Sequence, residues 1–135
     1  MVDYKRFNDH AEIFLRRMHE TFPHEKKIVS YQAKFDMVSS MDGKKPVEMF
    51  MDSMFPYGEQ ILSRDENFFK QDYFVNKAES ISQKMGLVNY YDSMNQETRD
   101  TIWEYIQGLF IMGMGIQGRI SELQELIKKT GFSAN

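Results

Sequence analysis

Residues Gly113-Met114-Gly115-Ile116-Gln117-Gly118 spell G-x-G-x-x-G directly after an apolar run, 109–112. In a dinucleotide site such glycines let the backbone approach a pyrophosphate at a helix N-terminus. That chemistry needs a strand before the motif and an acidic residue about 20 positions beyond it. Here only 17 residues follow Gly118, and the run upstream belongs to a helix. The glycines instead suit close helix packing or a local bend, at a cost near 1 kcal/mol each. His10, His19 and His24 fall in the first two helical segments, and the spacing of His19 from His24 fits no common zinc pattern. They read as solvated surface histidines. The carboxylates of Glu12, Glu20, Asp65 and Glu66 have no basic or nucleophilic partner at a readable spacing. Asp65 reads as a helix cap. No serine stands in a G-x-S-x-G elbow, and the absence of cysteine excludes disulfides, thiolate metal sites and thiol nucleophiles. The expectation is a non-enzymatic chain with no catalytic residue, cofactor or metal.

The basic doublets Arg16-Arg17, Lys26-Lys27, Lys44-Lys45 and Lys128-Lys129 are dispersed and interleaved with acids, and the net charge is −3. A nucleic-acid groove would need them gathered on one face. A nucleic-acid-associated regulatory factor is therefore the second reading, not the first. The 135 residues, 41% hydrophobic and 27% charged, suffice for one globular domain with a real core. Lys5, Arg6 and Asp9 interrupt any N-terminal signal-peptide h-region. The most apolar window, 105–116, is too short to span a bilayer. A cytoplasmic protein is expected. Eleven Met and eleven Phe suit a malleable core or contact surface.

Helical spacing recurs along the chain, and no alternating strand pattern does. A first helix over 3–21 carries Phe7, Ala11, Phe14, Leu15, Met18 and Phe22 at helical spacing, and Pro23 either ends it or opens the next element. A second over 24–40 aligns Ile28, Tyr31, Phe35 and Val38, with Val29 beside them. Pro46 is placed to open a third, and Phe55-Pro56-Tyr57-Gly58 breaks it. A short piece with Ile61 and Leu62 follows, and a capped helix over 63–71 delivers Phe68 and Phe69 to the core. Tyr73 and Phe74 join those two in an aromatic segment that reads as core before stacking platform. A weaker helix covers 76–85 and stops at Gly86. Residues 87–91 read as extended or helical. Ser93 and Gln96 have capping-box spacing for the last helix, which Gly131 closes.

That last helix carries an unbroken apolar seam: Ile102, Ile106, Leu109, Gly113, Ile116, Ile120, Leu123 and Ile127. Steps of four and three keep all eight on one line of a helix about 37 Å long. Trp103 and Phe110 would anchor its first half in the body. Three glycines in six residues make the stretch from Gly115 to Gly118 the place for a kink. The predicted fold is all-α: a compact multi-helix bundle over 1–116, with 117–135 an amphipathic C-terminal extension of the same domain. Ile120, Leu123 and Ile127 either fold back on the first two helices or, with Ile116, form a contact strip for a protein partner or for self-association. Docking a helix by such a strip is physically sufficient, at roughly 1.5–3 kcal/mol per buried Ile or Leu.

Two segments, Phe55-Pro56-Tyr57-Gly58-Glu59-Gln60-Ile61 with Arg64-Asp65-Glu66-Asn67-Phe68-Phe69, and Trp103-Glu104-Tyr105-Ile106-Gln107-Gly108-Leu109-Phe110, resemble small helical proteins encoded by nucleocytoplasmic large DNA viruses. In those a short acidic-aromatic segment precedes a tryptophan-bearing helix. The resemblance carries no catalytic residues. It implies a viral protein made in the host cytoplasm, a virion component such as a minor capsid protein. The function expected from the sequence is contact with another protein.

Overall fold

The computed structural model describes residues 3–69 and 85–133, which form α-helices and 3₁₀ turns with no strand among them. Asp3 accepts the Arg6 amide on its side chain (2.9 Å) and so caps α1, Tyr4–Thr21. Helix α2 spans Lys26–Met41. Helix α3, Lys45–Met54, has Pro46 in its first turn, where a missing amide hydrogen costs nothing. A 3₁₀ turn, Phe55–Tyr57, leads into the short α4, Gly58–Ser63, and Arg64 stops α4 in the left-handed conformation. Further 3₁₀ turns lie at Glu66–Phe69, Leu87–Asn89 and Tyr91–Ser93. Asp65 accepts the Asn67 amide (3.0 Å) and so starts the first of these turns. The helix expected over 76–85 lies, apart from Met85, outside the described residues, as do Tyr73 and Phe74.

Helix α5, Gln96–Ile116, is the post around which the rest packs: α1, α3 and α4 all lie against it. Ile102, Trp103, Ile106 and Phe110 are buried on it. Its cap corrects the sequence expectation. Asn95, not Ser93, is the N-cap and takes the Thr98 amide (2.8 Å), whereas Ser93 closes the preceding turn on the Tyr90 carbonyl. The predicted 37 Å helix is also two helices. Gly118 adopts φ +71°, and the chain restarts as α6, Ile120–Thr130. The Arg119 amide bonds the Met114 carbonyl (2.8 Å) and the Gly118 amide bonds that of Gly115 (3.1 Å). This is the Schellman stop, which glycine enters without the Cβ penalty.

Past that stop, α6 packs chiefly on α4. Gly58 permits the approach: a Cβ there would fall 2.8 Å from both Leu126 Cδ1 and Phe110 Cζ. The Arg119 guanidinium stacks over the Phe55 ring (4.1 Å), and Lys129 pairs with Glu59 (3.1 Å), so the start and end of α6 are both tied down.

Candidate contact surface

The densest polar constellation sits beside Trp103. Its indole nitrogen donates to the Tyr91 hydroxyl (2.9 Å), which donates to Glu66 Oε1 (3.4 Å). Arg99 donates to the carbonyls of Tyr91 and Asp92 and lies over the Tyr91 ring (4.7 Å). Phe69 stacks on the same ring at 4.2 Å. Burial pushes the Tyr91 hydroxyl above its ordinary range, so it stays a neutral donor and acceptor, not a base. This group is a latch that joins Glu66 and Phe69 to 91–103. A second latch caps α4: the Gln107 side-chain amide donates to the carbonyls of Ile61 (3.0 Å) and Leu62 (3.3 Å) and accepts from Arg64 (3.2 Å).

The other candidates disperse. The G-x-G-x-x-G glycines divide into a packing residue and a stop. A Cβ on Gly113 would come within 2.5 Å of Met51 Sδ, and Gly118 makes the turn. His10 differs from its expected solvated state. It is half-buried between α1 and α5 against Tyr105 (4.9 Å), and its Nε2 has no hydrogen-bond partner among the described residues. Burial, helped by Arg6, lowers its pKa. No group of three or more His, Asp or Glu among the described residues could hold a metal ion. No helix among them is long and apolar enough to cross a membrane. Of the basic doublets, Arg17 lies over Tyr105, Lys44 over Tyr4, and Lys45 and Lys129 pair with Glu48 and Glu59. The groove between α1 and α5 mixes Lys5 and Arg6 with Asp3, Asp9 and Glu104.

The C-terminal strip is not a continuous uncovered ridge. Leu123 is buried at 7% exposure, Ile116 and Ile127 are half-buried, and only Ile120 is open, at 48%. Trp103 and Phe110 are buried.

Exposed apolar surface gathers instead on α2. At 100° per residue, Ile28, Tyr31, Phe35 and Val38 share the inward face, but only Ile28 is fully buried. Beneath the others, with Lys34 at its edge, runs an apolar crevice shared with Phe14, Met49 and Phe50, with about 40 Å³ of room for water. On the opposite face Val29, Ala33, Met37 and Met41 follow one another at four-residue steps, 40° apart. All four are exposed, Met37 at 58% and Met41 at 80%. The sequence reading took Val29 as an appendage of the inner face and missed this second stripe; its four-residue repeat was the available signal. Comparisons of the chain with protein-family models, curated proteins and solved structures give no match, so the viral resemblance gains no support from them.

Proposed function

We propose that the chain is a non-enzymatic protein-contact module, and that its contact surface is the outward face of α2. The carrying observation is the exposed stripe Val29, Ala33, Met37 and Met41. Scattered apolar side chains on a surface need no explanation, but a stripe along one helix is the form that a docking helix takes. Returning these half-open side chains to an apolar setting is worth about 3–4 kcal/mol gross. That suits a weak contact, or one part of a larger one. The C-terminal strip expected from the sequence is less suited to the role, because Leu123 already serves the body. Under the viral resemblance the contact would belong to a particle assembly. The grooves of mixed charge give the nucleic-acid reading nothing to rest on.

The test is a photo-crosslinking residue at Met37 of the full chain, with Glu97 as an exposed polar control, irradiated in cells that express it. Discrete adducts from position 37, absent from position 97 and lost on adding Val29→Asp, support the reading. Adduct patterns that do not differ between the two positions, or no adducts, overturn it.

A further inference from the structure

We infer that the partner seated on this face is a second copy of the chain, its α2 antiparallel to the first about a twofold axis at Ala33. This rests on the contact reading above and adds the identity of the partner. The face has Ala33 at its centre, with the apolar Val29 and Met37 four residues to either side and the small Ser30 and Ser40 close by. Its charge is polarised, with Lys26 at the N-terminal end and Asp36 toward the C-terminal end. Both are exposed, and neither forms an ion pair among the described residues.

Reversing one helix against another brings Lys26 of each copy to about 6 Å along the axis, four residues, from Asp36 of the partner subunit. A lysine side chain spans that distance. A parallel pairing would instead set lysine beside lysine and aspartate beside aspartate, with the helix dipoles pointing the same way and like ends side by side. Ala33, Ser30 and Ser40 are small, which lets the two axes approach to about 8 Å at the crossing. Val29 of each copy then meets Met37 of the other. Such an interface is isologous and closes at two copies. A single helix pair buries less than the roughly 1,000 Å² of a stable dimer, so the association is weak, with a Kd between roughly 10 µM and 1 mM.

Sedimentation equilibrium of the full chain from 10 µM to 1 mM at low salt is the test. The expected mass rises from one copy toward two. Ala33→Glu, which sets two carboxylates against each other at the axis, raises Kd at least about tenfold, as do Lys26→Glu and Asp36→Lys singly. The double charge reversal restores wild-type association. All three positions are exposed, so the variants keep the wild-type helical signal. A monomer throughout the range overturns the second-copy inference, as does a dimer that ignores these substitutions. If Met37 crosslinks then yield adducts of some mass other than twice the chain, the contact reading stands with a different partner. If they yield none, both fall.

Discussion

Replacing Gly58 with alanine sets two opposed effects of known size against each other. Gly58 already has helical backbone angles, φ −54° and ψ −42°, so alanine fits without strain and gains up to about 1 kcal/mol of helix propensity. The new Cβ would, however, lie 2.8 Å from Phe110 Cζ and from Leu126 Cδ1. Ordinary carbon contacts are about 3.5–4.0 Å, so each neighbour must retreat by about 0.7 Å. Leu126 is half-buried near the end of a side chain that can rotate. Phe110 is fully buried in the middle of α5 and has no free direction. Overpacking of this kind costs about 1–3 kcal/mol, which outweighs the propensity gain. Gly58→Ala should therefore lower stability by about 1–2 kcal/mol, with the loss concentrated where α6 rests on α4. Urea unfolding of the full chain measures the total. Hydrogen exchange of the amides in 120–130 locates it. Adding Leu126→Ala should relieve the clash and recover part of the loss. A Gly58→Ala chain as stable as wild type, with α6 exchange unchanged, would refute the docking of α6 on α4.

Leu123→Asp puts a charge at a site 7% exposed and should cost about 3 kcal/mol or more by urea unfolding, while leaving self-association per folded molecule unchanged; loss of association without loss of stability would return the contact role to the C-terminal strip. Tyr91→Phe leaves the buried Trp103 indole N–H without its acceptor and should cost about 1–3 kcal/mol in the same assay; an unchanged midpoint would mean that the latch is dispensable. His10 has its folded pKa lowered, by burial first and Arg6 second. The unfolded chain therefore takes up the proton more readily, and stability is full above the ordinary histidine pKa of about 6.5 and falls as pH drops below it. Urea midpoints at pH 7.5 and 5.5 should show a drop that His10→Gln reduces; an equal drop in both chains would place the titration elsewhere.

What the sequence made legible were features with a local cause. Asp3, Pro46 and the 7-11-14-18 spacing lead to α1 and α3 without knowledge of the rest of the chain. The glycines marked 115–118 as the place for a bend, but that the helix stops there and restarts was not legible for a specific reason. The apolar repeat from Ile102 to Ile127 passes through Gly118 in register, and periodicity cannot register the sign of one φ angle. Ser93 and Asn95 are both good caps, and the choice between them was made by backbone: Asn95 is extended at φ −75°, ψ 167°, and its side chain reaches the Thr98 amide. His10 stands beside Phe7, Ala11 and Phe14 on α1, so its half-burial depends on where α5 crosses. That is a tertiary fact with no local trace.

The same distinction bears on where a helical protein keeps its contact surface. Helix α6 has the cleaner stripe: one apolar line with Glu122, Glu125, Lys128 and Lys129 outside it. A helix with one apolar face satisfies it on the nearest complementary surface, here α4, opened by Gly58 and reached through the turn at Gly118. Helix α2 is apolar on two opposite faces, and a rigid rod can turn only one of them to the body. Turning Tyr31, Phe35 and Val38 toward the body points Val29, Met37 and Met41 away from it. The helix with the weaker amphipathic signature is thus the one that keeps exposed apolar surface among the described residues.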